Sequence, residues 1–169
     1  MKNPFKKSKT TTAVIVIAII AAVVTLTIIC TPRTYLVLQN DKTGEIYGQY
    51  PLKEGENFSV GFIHSVNKRP LIDKYEIRNG EIYVIETIYY QFGAGVQTEI
   101  EPGQTLTYGE DGSMIVSGID TKIPYLSYCV GLWSDHTLKV NDGKEISLRE
   151  LCGRGSLVHF SFEKKFFSF

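Results

Sequence analysis

The hydrophobic pattern divides the chain into two unlike parts. Residues 13–30 form one apolar run, AVIVIAIIAAVVTLTIIC, which contains no charged residue, Gly or Pro. From Tyr35 onward, short apolar runs rich in Val, Ile, Tyr, Phe and Thr are separated by Gly, Asn and Asp. The first pattern predicts a single membrane-spanning helix. The second predicts a domain built from strands.

Turn signals bound the predicted strands. Asn79-Gly80 lies between the runs at residues 73–78 and 81–90 and is typical of a two-residue hairpin turn. Within residues 81–90 the apolar positions change faces, which predicts a bulge. The spacing of the runs predicts an all-β fold, a sandwich or small barrel of about eight to ten short strands, preceded by one transmembrane helix.

One stretch of the second part predicts a helix. Ser147 and Glu150 have the spacing of a capping box, and Gly153 supplies a stop signal. We expect a helix of one or two turns at this point.

The N-terminal apolar run has the length and composition of a membrane anchor. As a helix its eighteen residues would rise about 27 Å, close to the thickness of the hydrocarbon core, and eleven of them are Ile, Val or Leu. The run follows four lysines and no acid: Lys2, Lys6, Lys7 and Lys9. Basic residues favour the cytoplasmic side. We therefore expect a cytoplasmic basic tail at 1–12, a single-pass anchor at 13–31 and an extracytoplasmic β-rich domain at 32–169.

Two alternatives remain open for this segment. A cleaved signal peptide has a shorter apolar run that ends in small residues, whereas here Ala21-Ala22 lies inside the run and Ile28-Ile29 lies near its end. A lipoprotein needs small residues before its cysteine, whereas Cys30 follows Ile29. Both alternatives fit the sequence less well than an uncleaved anchor.

Charge and cysteine content restrict the function further. The chain has 18 basic and 18 acidic residues, and with four lysines at the N-terminus the remainder is mildly acidic. This distribution argues against nucleic-acid binding. Cys129 and Cys152 are a candidate disulfide pair in an oxidising compartment, and the alternative is two buried thiols. No spacing resembles a zinc site, and we expect neither a metal nor a cofactor.

The pair His64-Ser65 is the first candidate for chemistry. It lies at the end of a predicted strand, after Phe62 and Ile63. An imidazole titrates near neutrality and can bind an anion, a metal or a carboxylate. Because neighbours in a strand point to opposite faces, we do not expect the pair to act as base and nucleophile. The alternative is a histidine hydrogen-bonded to a carbonyl at a loop corner.

Two further segments are candidates for binding. Gly93-Ala94-Gly95 can place successive backbone N–H groups around an anion, although a tight turn is the simpler explanation. Residues 133–136 place a tryptophan beside an acid and an imidazole, and a turn with a partly buried tryptophan explains them equally well.

No set of residues indicates a catalytic machinery. His64, Asp73 and Ser134 have the residue types of a hydrolase triad, but a chain of this length supplies such a set by chance. The carboxylates show no paired spacing. We therefore do not expect an enzyme.

Two of these segments together resemble a known family. Residues 62–66 read Phe-Ile-His-Ser-Val, Pro70, Asp73, Tyr75 and Glu76 follow, and residues 92–95 read Phe-Gly-Ala-Gly. In this order they resemble the bacterial domain-of-unknown-function family eighteen-fifty, over roughly residues 35–162. Val96-Gln97 departs from the family's apolar-Pro pair. The resemblance implies a ligand- or partner-binding role for His64, Ser65, Glu76, Gly93, Ala94 and Gly95.

The resemblance implies a role and not a reaction. Genes of this family commonly neighbour those of tripartite ATP-independent periplasmic (TRAP) transporters with TAXI-type solute-binding proteins. The implied function is a membrane-anchored accessory or binding module on the outer side of a bacterial cell membrane, with a TRAP permease or a TAXI-type solute-binding protein as its partner. The alternatives are a hydrolase-like extracytoplasmic enzyme that uses His64 and a structural envelope protein.

Overall fold

The computed structural model describes residues 9–66, 68–91 and 99–165. The chain divides into two compact units, one that contains the N-terminal helix and one that spans Thr34–Glu163. The N-terminal helix, α1, runs over Lys9–Cys30 and has 22 residues. Many of its apolar side chains are exposed, among them Val14, Ile17 and Leu26. No helix within the described residues combines the length and the hydropathy of a membrane span.

Eleven strands in two sheets follow α1 in the described part of the chain. They are β1 (Arg33–Asn40), β2 (Ile46–Pro51), β3 (Asn57–Ile63), β4 (Pro70–Arg78), β5 (Glu81–Tyr89), β6 (Thr105–Tyr108), β7 (Met114–Lys122), β8 (Leu126–Cys129), β9 (His136–Val140), β10 (Ile146–Ser147) and β11 (Leu157–Lys165). A four-stranded sheet has the order β2-β1-β11-β8, and a seven-stranded sheet has the order β10-β9-β3-β4-β5-β7-β6. The predicted β-rich class is confirmed, with one strand more than the predicted range.

The two sheets share one hydrophobic core. Phe58 on β3 is 1% exposed, and its ring stacks on Tyr75 of the same sheet at 5.0 Å and on Phe160 of the four-stranded sheet at 6.1 Å. Leu36 and Leu38 of β1 belong to the same buried cluster. Because the cluster draws from both sheets, the sheets pack on each other as the layers of a sandwich.

The hairpin between β4 and β5 has the predicted turn. Asn79 and Gly80 both have positive φ, 53° and 78°, the left-handed conformation that a two-residue hairpin needs. The predicted bulge in β5 is also present, since the register with β7 shifts between Val84 and Glu86. Local turn chemistry therefore determines this part of the large sheet.

A short helix, α2 (Leu148–Cys152), lies between β10 and β11 and confirms the capping prediction. The hydroxyl oxygen of Ser147 accepts a hydrogen bond from the Glu150 backbone N–H at 3.0 Å. The Gly153 backbone N–H donates to the Arg149 carbonyl at 3.0 Å and closes the C-terminal end.

The candidate disulfide is not formed in the structure, where Cys129 and Cys152 are free thiols. Cys152 is buried in the core beside α2, and burial raises its pKa to about 11. Cys129 is exposed, because Leu126 and Tyr128 occupy the core-facing positions of β8 and strand alternation turns Cys129 outward. The buried-thiol alternative therefore holds for Cys152 and is wrong for Cys129.

Candidate functional site

A pocket of about 850 Å³ opens where β3 ends, and we name it the strand-end pocket. Three segments line it: the end of β3 with the loop that follows, the adjoining parts of β4 and β5, and the loop at residues 131–136. Strand pairing joins them, since Phe62 of β3 is opposite His136 of β9 and Asp73 of β4 is opposite Thr87 of β5. The structure therefore brings together two segments that the sequence presented as separate candidates.

His64 and Ser65 both line this pocket. β3 ends at Ile63, so the alternation expected for neighbours in a strand no longer applies to them. The loop closes through backbone hydrogen bonds from the His64 N–H to the Arg69 carbonyl and from the Lys68 N–H to the His64 carbonyl, each 2.9 Å. Lys68, with φ of 55°, makes the tight return and also lines the pocket.

The His64 ring accepts a hydrogen bond at Nδ1 from the Val66 backbone N–H, at 3.3 Å. In the neutral ring the proton is therefore on Nε2, which is a donor. His64 is half-buried, while Ser65 is exposed. The pair thus contributes two polar side chains to the pocket.

The loop at residues 131–136 is fixed by Asp135. Its carboxylate accepts hydrogen bonds from the Ser147 hydroxyl and, at 3.0 Å, from the Arg149 backbone N–H. Burial raises the pKa of Asp135, but these hydrogen bonds outweigh it and the net pKa lies below its ordinary value. The Arg149 guanidinium also donates to the Gly131 carbonyl at 3.2 Å. Asp135 and Arg149 therefore hold this loop in position.

His136 closes the pocket beside Phe62. The residue is 8% exposed, and its ring stacks on the Phe62 ring at 4.9 Å between centroids. Nδ1 accepts a hydrogen bond from the Gly131 backbone N–H at 3.1 Å. Burial lowers the pKa of His136, and the nearby Asp135 offsets part of that effect. His136 is therefore a neutral, packed part of the wall.

Asp73 is the acidic group that lines the pocket. It accepts hydrogen bonds from the Thr87 hydroxyl at 2.8 Å and from the Tyr128 hydroxyl at 3.0 Å. The Tyr75 hydroxyl lies 2.6 Å from that of Tyr128, and since Tyr128 donates its proton to Asp73, Tyr75 is the donor in this pair. Burial raises the pKa of Asp73, and its two hydrogen bonds offset part of the rise.

The pocket has an apolar, exposed rim. Trp133 is 96% exposed, and Leu132 and Ile63 are exposed as well. All three line the pocket. The Ser134 hydroxyl donates to the Ile63 carbonyl at 3.2 Å and ties the two sides of the rim together. Exposed large apolar groups around a concavity are typical of a binding surface.

Glu76 is not part of this site. It is opposite Asn57 in the β3–β4 ladder, at the end of β3 distant from His64, and its carboxylate forms an ion pair with Arg78 at 2.6 Å. The family resemblance implied a binding role for Glu76 beside His64, and the register places it away from this pocket. Gly93, Ala94 and Gly95 lie outside the described residues.

The described hydrogen bonds of Ser134 and His64 are not those of a serine triad. A serine triad needs its serine hydroxyl to donate to the imidazole and its carboxylate to accept from the other ring nitrogen. Here the Ser134 hydroxyl donates to a main-chain carbonyl, and His64 Nδ1 accepts a hydrogen bond from a backbone N–H. Among the described residues, no group of three or more His, Cys, Asp or Glu side chains is placed to hold a metal ion.

Sequence reasoning missed Thr87, Tyr89, Tyr128 and Lys68 as parts of the site or its support. In the sequence, Asp73 was named as a member of a chance triad and of the family motif, but it was assigned no binding role. The available signal was its position, because Asp73 is the one charged residue in the otherwise apolar face formed by Leu71, Asp73, Tyr75 and Ile77. A carboxylate on the inner face of a strand points to a specific partner.

The comparisons with known proteins bear on the region that contains this pocket. No curated protein and no solved structure matches the chain. The family model for a domain of unknown function, DUF1850, matches residues 58–148, which contain all the residues that line the strand-end pocket. The match covers more than half of the chain and agrees with the family resemblance of the sequence motifs. The chain therefore belongs to the DUF1850 family.

Proposed function

We propose that this chain is a membrane-anchored, extracytoplasmic binding module that serves a TRAP-type solute uptake system. The observation that supports a binding role is the strand-end pocket, with a volume of about 850 Å³, apolar walls and a few polar groups. Pockets of this size and composition are typical of small-molecule sites. His64 and Ser65 contribute polar contacts, and the rim at Leu132 and Trp133 offers an apolar one.

No described helix combines the length and hydropathy of a membrane span, and the proposed anchor is nevertheless α1. Its support is the sequence of α1. The helix has 22 residues, which corresponds to a rise of about 33 Å, and residues 13–30 contain no charge. The lysines that precede the apolar run favour a cytoplasmic N-terminus.

The proposed partner is a TRAP permease or a TAXI-type solute-binding protein. Support comes from the family to which the chain belongs and from the exposed rim of the pocket. Tryptophan provides a large contact area in protein interfaces, and Trp133 is 96% exposed. The rim would then contact the partner while the pocket below it holds a small molecule.

Uptake measurements test this function. Deletion of the gene should lower uptake of the labelled substrate of the TRAP system several-fold, and the full-length chain should restore it. Trp133→Ala and His64→Ala should fail to restore it, while Glu76→Ala, on the same domain but outside the pocket, should succeed. Unchanged uptake in the deletion strain would contradict the proposal.

Co-purification tests the partner directly. A tagged full-length chain, solubilised from membranes in mild detergent, should recover a TRAP permease subunit or a TAXI-type protein identified by mass spectrometry. The Trp133→Ala variant should recover less of it. Recovery of neither protein by a folded chain would count against the association.

The two alternatives make different predictions. A hydrolase-like enzyme that uses His64 requires that His64→Ala abolish turnover of a substrate. A structural envelope protein requires that His64→Ala lower stability without a change in uptake. Turnover, uptake and unfolding measured on the His64→Ala variant therefore separate the three functions.

A further inference from the structure

The carboxylate of Asp73 lines the strand-end pocket without a cationic partner among the residues that the structure describes. Ion pairs among the described residues include Arg78–Glu76, Arg78–Asp120 and Lys122–Glu81, and Asp73 belongs to none of these. Its partners are two neutral hydroxyls, those of Thr87 and Tyr128. A partly buried carboxylate with neutral donors alone still lacks a counter-charge.

Aromatic side chains line the same pocket as this carboxylate. They are Phe62, Tyr89, Trp133 and His136. The faces of such rings carry negative electrostatic potential and attract cations, most strongly where water is excluded. An ammonium group placed near Asp73 would therefore gain from the carboxylate and from the rings, while an apolar body would fill the remaining volume.

We propose that the strand-end pocket selects small organic cations, specifically primary amines with an aromatic or aliphatic body, through the carboxylate of Asp73. The inference rests on the proposed binding function and specifies its ligand class. Thr87 and Tyr128 hold the carboxylate in place by donating to it. Burial raises the pKa of Asp73 by removing the carboxylate from water, and a bound ammonium would supply a counter-charge that opposes this rise.

The surroundings disfavour an anionic ligand at the same position. A ligand carboxylate beside Asp73 would bring two negative charges together in a partly desolvated site. Lys68 is the one cation among the described lining residues, and its side chain is exposed on the loop after β3. An exposed ammonium is screened by water and salt and attracts an anion weakly.

Calorimetric titration of the full-length chain in detergent tests this selectivity with three probes of nearly equal size: 2-phenylethylamine, 2-phenylethanol and 3-phenylpropanoate. The amine should bind about ten- to hundredfold more tightly than the alcohol, because both can donate a hydrogen bond to the carboxylate but only the ammonium adds a charge–charge attraction. The carboxylate should bind more weakly than the alcohol.

Variants assign the selectivity to Asp73. Asp73→Asn keeps the size of the side chain and should abolish the preference for the amine over the alcohol. Glu76→Gln removes a carboxylate from the same strand but outside the pocket and should leave the preference unchanged. Trp133→Ala should weaken the binding of the amine and of the alcohol to the same degree. The Trp133 side chain is 96% exposed and does not support folding, so the variant should remain folded.

The outcomes separate this inference from the proposed function. Equal affinity for amine and alcohol, tighter binding of the carboxylate, or full amine preference in Asp73→Asn would overturn the ligand class while leaving a binding module in place. Absence of binding by all three probes to a folded chain overturns the ligand class. Uptake that is unaffected by gene deletion would overturn the proposed function independently of these titrations.

Discussion

Asp135 shows how one side chain holds the wall of the strand-end pocket. Its carboxylate accepts from the Ser147 hydroxyl and from the Arg149 backbone N–H, and thereby joins the loop at 131–136 to the start of α2. We expect Asp135→Ala to lower the free energy of unfolding by about 1–3 kcal/mol, because both donors lose their acceptor. Urea unfolding of the detergent-solubilised chain measures the change. Asp142→Ala, an exposed acid in the next turn, should change it by less than about 0.5 kcal/mol.

The contribution of Asp135 to the free energy of unfolding should depend on pH. The folded pKa of Asp135 is lowered, so its stabilising effect is fully present above the pKa of an unfolded aspartate, about 3.9. It is lost as the pH falls through the lower folded value. The difference in stability between wild type and Asp135→Ala should therefore be constant near neutrality and shrink below about pH 4. A difference that persists unchanged at pH 2 would contradict this assignment.

For single residues, the sequence indicates which residue types are candidates better than it indicates which of them are neighbours in space. His64 and Ser65 could be selected because they follow an apolar strand, and both line the pocket. Glu76 was selected with them and lies elsewhere, because the pairing of β3 with β4 places it opposite Asn57. The pairing of residues across two strands depends on the register of both strands, and the sequence of one strand alone does not determine it.

The hairpin of β4 and β5 is the element most clearly determined by local sequence. Gly80 has φ of 78°, and a Cβ there would contact nothing within 4 Å, so only backbone conformation opposes substitution. Gly80→Ala should lower the free energy of unfolding by about 1–2 kcal/mol. Gly80→Asn should lower it less, because asparagine tolerates the left-handed conformation, and Gly80→Val should lower it most. Equal effects of the three substitutions in urea unfolding would show that φ is not the cause.

Other elements depend on local sequence to different degrees. The caps of α2 and the bulge in β5 depend on residues close in sequence, and both could be predicted. The neighbour of β3 could not, because β9 begins at His136, more than seventy residues after the end of β3. The pocket exists because of that distant pairing, and for this reason its two sides looked like unrelated motifs in the sequence.

At the scale of the whole molecule, the core shared by the two sheets holds them together. Phe58 is 1% exposed and touches rings of both sheets, Tyr75 and Phe160. Phe58→Ala should lower the free energy of unfolding by about 3–5 kcal/mol, since it removes buried area and leaves a cavity between the sheets. Tyr108→Ala, at a side chain that is 69% exposed, should change it by less than about 0.5 kcal/mol. Urea midpoints with unchanged slopes would establish both values.

The proposed orientation in the membrane can be tested with the native cysteines. In a Cys30→Ser variant, a membrane-impermeant maleimide should label Cys129 from the extracytoplasmic side, because Cys129 is exposed. Cys152 should remain unlabelled until the chain unfolds, since it is buried and its pKa is raised to about 11. Labelling of Cys129 only after the membrane is permeabilised would place the domain on the cytoplasmic side.

The exposed rim has an optical consequence. Trp133 is the single tryptophan of the chain and is 96% exposed, so the tryptophan fluorescence of the native protein comes from an indole in water at the mouth of the pocket. Any molecule that covers this ring should shift its emission to shorter wavelength, and a soluble quencher should then reach it less well. The chain therefore contains its own reporter, with which occupancy of the pocket can be followed without a label.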